Sequence, residues 1–314
     1  MPGRGSSNTS STTSTSSCTS SPLDGLGPPS ARGAPIRDRI LGLIRLGHPF
    51  PSALNGLATA ALALLAGGTW ASATRLGFAM LTIQVSIGAL NDLRDAPADA
   101  IAKPAKPIPA GVASPLEAGT LWAVGLVTGV ILSLPSGPIV VLIASVGAAS
   151  GYAYDLWLKR TPLSWLPLSA ALPLLPAYAW LGVGTELPAA FVALVPLAVL
   201  AGAALALSNA LVDVEGDRAA GLATLVARLG RQTSWRLHVL LVALVAGGAL
   251  ALLPIVDGRG PGVIVAVGGA SVLVVGALLE RGEGVARRER AWELEAVGVA
   301  ALGIGWLAAI VPAG

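Results

Sequence analysis

The sequence predicts an all-α, polytopic membrane protein whose helices cross the bilayer nine times. Three observations carry that expectation. The chain is 54% hydrophobic and only 12% charged, about half the charged share of a soluble domain. Its apolar stretches repeatedly reach the roughly 20 residues that span a hydrocarbon core. Its basic residues collect in alternate loops, as they do at cytoplasmic helix ends.

Residues 1–35 are expected to form a disordered tail, because "SSNTSSTTSTSSCTSS" has no apolar content with which to bury a core. It also lacks the hydrophobic segment of a cleavable signal. Cys18 is the only cysteine, so no intrachain disulfide can form. Residues 36–314 are expected to form the membrane domain. Hydropathy places its spans at about 48–67, 73–93, 116–134, 138–156, 163–182, 188–211, 235–254, 261–280 and 292–312. "SLPSGP" makes a tight turn between the third and fourth. Pro167, Pro173 and Pro176 predict a kinked fifth span, since each proline removes a backbone donor. With a cytoplasmic N-terminus, 18 of the 20 Lys and Arg fall inside; only Arg75 and Arg259 fall outside. Nine spans then leave the C-terminus outside. A net charge of +3, dispersed between apolar runs, excludes a nucleic-acid footprint.

Two acidic stretches interrupt the apolar pattern. In "NDLRDAPADAIAKPAKPIPAG" (91–111), Asn91, Asp95 and Asp99 stand at i, i+4 and i+8 after the second span. In "NALVDVEGDRAAG", Asn209, Asp213 and Asp217 repeat that spacing after the sixth. Residues four apart share a helix face. Pro97 and Gly216 interrupt the helical pattern, so Asp99 and Asp217 are expected just past the helix ends. One such acid would be read as a solvated loop charge; two matched sets at a membrane edge point to function. Facing carboxylates repel unless a cation lies between them, and magnesium with substrate phosphates suits such oxygen ligands. Asp92 and Glu215 fall off the stripes and rank as weaker candidates. His48 and His238 are read as interfacial or packing residues, and no Cys or His grouping has zinc spacing.

Cations accompany these acids. Arg45 precedes the first span in "LIRLGHPFP". Lys103 and Lys106 sit in "KPAKPIPAG", whose three prolines predict a stiff, extended loop. "YAYDLWLKRTPLSW" supplies Tyr152, Tyr154, Lys159 and Arg160, and Arg218 and Arg228 follow the second acidic set. Carboxylate–metal groups ringed by cations suit a diphosphate that must be held and then stabilised as it leaves. Tyr152 and Tyr154 are candidates to cover a cationic intermediate with their ring faces. Arg32, Arg37, Arg39, Arg287, Arg288 and Arg290 are read as topological charges, and the remaining aromatics as belt or packing residues.

Taken together, these motifs resemble those of the UbiA superfamily of intramembrane prenyltransferases, the 4-hydroxybenzoate polyprenyltransferase type included. "NDLRDAPADAIAKPAKPIPAG" is similar to the family's first signature, "DVEGDRAAGLATLVARLG" to its second, and "YAYDLWLKR" to its Tyr…Lys-Arg loop. The resemblance covers about residues 40–312. It implies a nine-helix bundle with the site opening to the cytoplasmic side. It implies that Asp95, Asp99, Asp213 and Asp217 hold two Mg2+ ions bridging an isoprenyl diphosphate. Asn91, Arg45, Lys103, Lys106, Lys159 and Arg160 would position that diphosphate, and the prenyl tail would lie in a groove open to lipid. The acceptor is expected to be aromatic and quinone-precursor-like; a chlorophyllide, haem, sugar-phosphate or glycerol-phosphate lipid is the alternative. Lys106 replaces a usual Arg, Val226 a usual Pro, and Pro97 is a further departure. A secondary transporter is the competing class, but the polar groups gather at one membrane face, whereas alternating access needs a path on both sides.

Overall fold

A computed structural model describes residues 35–219 and 221–310, the side chain of Ala219 excepted. The expected disordered tail, with Cys18, therefore lies outside the described residues except for Pro35. An apolar segment in a bilayer finds no water for its peptide groups, so each must bond within its own segment. The regular structure among the described residues is accordingly helical throughout. In chain order come α1 (Ile36–Leu46), α2 (Pro49–Leu65), α3 (Trp70–Ala102), α4 (Pro115–Ser133) and α5 (Pro138–Ala153). They are followed by α6 (Leu166–Ala171), α7 (Leu174–Gly182), α8 (Phe191–Val212) and α9 (Val214–Ala219). Last are α10 (Leu225–Leu229), α11 (Arg231–Leu252), α12 (Pro261–Leu279) and α13 (Val285–Ile310).

Seven helices among the described residues are long and apolar enough to cross a membrane: α3, α4, α5, α8, α11, α12 and α13. A 3₁₀ turn extends α4 and a π-helical turn extends α5. Shorter apolar helices stand at the expected first and fifth spans, Pro49–Leu65 and Leu166–Gly182. The second of these is broken between α6 and α7 beside Pro173, where the sequence predicts a kink.

α3 departs from expectation. It runs 33 residues and passes through Pro97 rather than ending there. Pro97 cannot bond to Leu93 O, but the later turns close normally, down to the Lys103 N–H donating to Asp99 O at 2.8 Å. Asp99 therefore lies inside the helix. The following prolines do not hold an extended loop either. The Lys106 N–H donates to Lys103 O at 3.0 Å and the Ala110 N–H to Lys106 O at 2.9 Å, so residues 103–113 wind into compact turns. α1 was not expected as an element; Ile36, Ile40 and Ile44 line one exposed apolar stripe along it.

Lipid tails are as apolar as leucine, so helix association here needs close backbone contact or polar bonds. α12 and α13 use the first. Gly262, Gly269 and Gly276 recur every seventh residue against the α13 backbone, and Gly298 and Gly305 of α13 face the α12 backbone in turn. A Cβ added at Gly305 would lie 2.8 Å from Gly262 O, and one at Gly276 would lie 2.9 Å from Ala291 O. Nearby, fully buried Trp306 donates its indole N–H to Ala249 O at 3.0 Å, tying α13 to α11. At the end of the bundle away from the acidic motifs, Arg75 donates to Leu132 O at 2.5 Å and to Ser136 Oγ at 2.8 Å.

Because the α12–α13 seam has no room for side chains, Gly305→Val should lower stability by roughly 1–3 kcal/mol. A thermal melt of the purified protein in detergent checks this; an unchanged midpoint would show that the helices can separate without cost.

Candidate active site

The acidic motifs meet at one end of the bundle. An α-helix turns about 100° per residue. On α3, Asn91 and Asp95 therefore face about 40° apart, while Asp99 lies about 20° from Asp92, seven residues away. The contacts divide along those two directions.

On the first side, Asn91 Nδ2 donates to Asp155 Oδ1 at 2.7 Å. Lys159 donates to Asp95 Oδ2, and Arg160 Nη2 lies 3.9 Å from Asp95 Oδ1. The π-helical turn Tyr154–Leu158 aims these groups at α3, with the Lys159 N–H reaching back five residues to Tyr154 O at 2.9 Å. The Lys159 ammonium also lies 5.8 Å from the centre of the Tyr154 ring. Tyr152 points elsewhere, its hydroxyl 2.7 Å from Ser86 Oγ and its ring edge-on to Trp122.

The second acidic motif faces this group. α8 ends at Val212, so Asn209, Asp213 and Asp217 do not share one continuous helix. The break has a visible cause: Arg288 donates through Nε and Nη2 to Val212 O at 3.2 and 2.9 Å, replacing the next-turn partner. Arg288 is thus a buried capping residue that also meets Glu215 Oε2 at 2.6 Å, and not a topological charge. Gly221, at φ +68°, then closes α9, and the Leu222 N–H donates to Asp217 O at 2.9 Å. Asp213 Oδ2 accepts from Lys103 at 2.5 Å, joining the end of α3 to the end of α8. Asp217 has no ion pair among the described residues; burial, then the adjacent Asp213 carboxylate, pushes its pKa up. Arg218 donates to Ala227 O at 3.1 Å and so steadies α10. Val226 is buried against Leu207, Leu211 and Val214, an apolar use for the position where the family pattern has Pro.

On the second side of α3, Lys106 bridges Asp92 Oδ1 at 2.9 Å and Asp99 Oδ2 at 2.8 Å. Burial lowers the Lys106 pKa, but its bonds to Asp99 and Asp92 outweigh that and raise it, so the ammonium stays charged. His48 Nε2 lies 3.1 Å from Asp92 Oδ1. His48 adopts φ +47°, a left-handed backbone rare for a residue with a side chain. Gly88 admits it; a Cβ there would lie 3.0 Å from the His48 ring. A cleft of about 370 Å³ is lined by Arg45, His48, Asp92, Lys103 and Lys106, and Arg45 makes no ion pair among the described residues.

Of the groups gathered here, the sequence reading passed over Asp155, ranked Asp92 as a weaker candidate and read His48 as an interfacial or packing residue. The seven-residue spacing of Asp92, Asp99 and Lys106 was the available sign for Asp92, and an acid at the end of an apolar span was the sign for Asp155. Arg39, read as topological, instead ties α1 to α4 through Glu117 Oε1 at 2.5 Å.

The donors suit a hard cation. Asp92, Asp95, Asp99 and Asp213 share Lys103, Lys106, Lys159 and Arg160, while Asp155 and Asp217 have no cation at ion-pair distance among the described residues. Asp155 Oδ2 is buried without a hydrogen bond. Anionic oxygen is therefore in excess, the condition that draws a divalent ion.

An all-helical bundle of apolar spans with acids and ammonium groups gathered at one end defines an integral membrane protein with a polyanion-handling centre. The chain belongs to the UbiA prenyltransferase family, whose model matches residues 52–294, and it is a prenyltransferase. It is 32% identical over 206 residues to the digeranylgeranylglyceryl phosphate synthase of Natronomonas pharaonis, covering 63% of this chain and 72% of that enzyme. It is 35% identical over 156 residues to the chloroplastic chlorophyll synthase of Oryza sativa, covering 46% of this chain and 42% of that enzyme. A UbiA homologue from Archaeoglobus fulgidus, solved bound to GPP and Mg2+, shares the fold with a TM-score of 0.65 at 16% identity, covering 83% and 99% of the two chains.

Asp217→Asn should raise the melting temperature of the protein in EDTA, since it removes a buried charge beside Asp213. The sign with pH follows from the raised pKa. The penalty in the unsubstituted protein is absent below the ordinary carboxylate value of 3.8, grows as pH rises through the folded value, and is complete above it. The gain should therefore be present at neutral pH and vanish in acid. A gain independent of pH would assign it to packing.

Proposed function

We propose that the protein transfers a prenyl group from a prenyl diphosphate to a glycerol-phosphate-type lipid acceptor, with magnesium. The observation that carries this reading is the division of the polar centre into two adjoining parts. One holds Asp95, Asp155, Asp213 and Asp217 with Lys159 and Arg160. The other is the cleft where Arg45 stands without a carboxylate partner among the described residues. A donor diphosphate suits the first part and an anionic acceptor head suits the second. The likeness to an enzyme named for digeranylgeranylglyceryl phosphate supports a phosphate-bearing acceptor. The aromatic, quinone-precursor acceptor expected from the sequence gives way, since the similar enzymes are named for a glyceryl phosphate and for chlorophyll. The chlorophyll synthase likeness makes a tetrapyrrole acceptor the second reading.

Asp95, Asp99, Asp213 and Asp217 would hold magnesium through their carboxylate oxygens. Magnesium, when bound, supplies positive charge to the diphosphate oxygens as they take the electron pair of the breaking carbon–oxygen bond. Lys159, Arg160 and Lys103 orient the diphosphate and neutralise it as it leaves. Tyr154, whose ring already faces a cation, covers the allylic carbon as it becomes positive. Arg45 and Lys106 fix the acceptor head, and the acceptor hydroxyl oxygen bonds to the allylic carbon. Its proton passes to Asp92, which lines the same cleft. The Lys and Arg distribution supports a cytoplasmic position for this end, with the N-terminus inside and the C-terminus outside.

Purified protein supplied with radiolabelled prenyl diphosphates should form product with a glycerol-phosphate lipid in magnesium and none in EDTA. Asp95→Ala and Asp213→Ala should each lower turnover about 10³-fold, the several kcal/mol of a metal's charge stabilisation. Near-normal transfer by both variants would refute the metal assignment. Arg45→Ala should raise the acceptor KM about tenfold, corresponding to one charge-assisted hydrogen bond, with the donor KM little changed. The opposite pattern would move Arg45 to the donor side. Transfer to a chlorophyllide alone would select the second reading.

A further inference from the structure

A second polar cluster lies away from the aspartates, where α11, α12 and α13 converge. It includes His238, read from the sequence as an interfacial or packing residue. His238, Glu280 and Glu295 are 0%, 2% and 0% exposed. His238 Nε2 lies 3.3 Å from Glu280 Oε2 and 3.2 Å from Glu295 Oε2, with Glu295 Oε1 also at 3.2 Å. The ligand atoms of the three residues fall within 4.8 Å of one another.

The other ring nitrogen settles which way the histidine is used. His238 Nδ1 is 3.1 Å from Ala204 O on α8. A carbonyl only accepts, so Nδ1 carries a proton, and Nε2 is the ring atom turned toward the two carboxylates. Glu280 Oε2 and Glu295 Oε2 are buried and have no hydrogen-bond donor. Ser208 donates to the other Glu280 oxygen at 2.7 Å, orienting that carboxylate. One imidazole nitrogen and two carboxylate oxygens, one from each glutamate, thus converge on one point.

Two buried carboxylates need compensating positive charge. Arg288 is committed to Val212 O and Glu215. A divalent ion with a neutral imidazole balances the glutamates fully. The geometry agrees: on a tetrahedral ion with bonds of about 2.0–2.1 Å, neighbouring ligand atoms stand about 3.3 Å apart. A ligating histidine whose far N–H is fixed by a backbone carbonyl is the usual supporting arrangement. A cleft of about 230 Å³ adjoins the cluster at Glu280, with Gln232 and Glu283 also in its wall.

We propose that His238, Glu280 and Glu295 bind one divalent transition metal ion, separate from the aspartate centre. One imidazole and two carboxylates suit zinc or manganese. The ion fastens α11, α12 and α13 together. Through Ala204 and Ser208 it also sets α8, the helix that ends beside Asp213. Its role is structural, so it makes no contact with substrate.

The test uses full-length, tag-free protein, stripped with chelator and reloaded with Zn2+ or Mn2+ in a large excess of Mg2+. Metal content after gel filtration is then read by mass spectrometry. One equivalent of zinc or manganese per chain is expected in the unsubstituted protein, in D95N/D213N and in H48A. It should be lost in E280Q/E295Q and in H238A. X-ray absorption of the D95N/D213N protein should show one nitrogen among oxygen ligands. Three outcomes overturn the proposal: no stoichiometric metal in the unsubstituted protein, retention of it in folded E280Q/E295Q, or its loss in D95N/D213N. Where the glutamate variants fail to fold, D95N/D213N decides: an absent ion, or one without an imidazole ligand, overturns the site.

Discussion

A carboxylate beside hydrocarbon cannot stay ionised unless positive charge stands within a few ångströms. That constraint organises the end of the bundle where the acids lie, and its solutions tie together parts of the chain far apart in sequence. Lys103 reaches Asp213 across 110 residues, and Lys159 reaches Asp95 across 64. Arg288 takes both Val212 O and Glu215. Such pairs add little net stability, because desolvation offsets most of the attraction. Losing one partner is expensive, because a lone charge is left behind. They therefore act as registers: a bundle whose apolar faces are interchangeable in lipid has one arrangement in which every ammonium finds its acid. The glycine seam of α12 and α13 performs the same service without charge, by admitting only one depth of approach.

The registers also divide the contacts of one helix between two directions. Helical geometry turns Asn91 and Asp95 toward the π-helical turn after α5 and Lys159, and Asp92 and Asp99 toward His48 and the turns after α3. Lys106 belongs to the second direction and Lys159 to the first. The whole separation follows from the offset between four-residue and seven-residue spacing on a helix of 3.6 residues per turn.

Much of this was legible in the chain. Membrane-length apolar runs locate the helices, because in lipid the hydrogen-bond requirement leaves an apolar run few other conformations. The paired Asn-Asp-Asp spacings, with Arg45, Lys103, Lys106, Lys159 and Arg160, point to the end of the bundle where the acids gather. What stayed hidden depends on contacts between distant segments. Nothing local marks Arg288 as the cap of α8, nor Asp155 as the partner of Asn91. Glu280 and Glu295 are different, since both fall inside expected spans, where an ionisable residue is itself a sign. They passed unremarked because the histidine that unites them lies on another helix. Pro97 misled in the other direction: a proline forfeits one hydrogen bond, and a 33-residue helix continues past it.

The irregular backbone has its own logic. His48 in a left-handed conformation, the proline within α3, the π-helical turn before Lys159 and the break at Asp213 all lie around the acidic end. The opposite end has fewer such features, the 3₁₀ turn after α4 and Asp257 at φ +55° among them. Within a membrane, non-helical backbone is tolerated only where protein or a polar cavity satisfies its freed groups. Here side chains provide that satisfaction, Arg288 for Val212 O and Ser52 Oγ for Gly47 O beside His48. The acids thus require cations for their charge, the cations require bent backbone to reach them, and the bent backbone is held by side chains in turn. A centre built this way is set by its own electrostatics before substrate arrives, the preorganisation that makes charge stabilisation effective at a departing diphosphate.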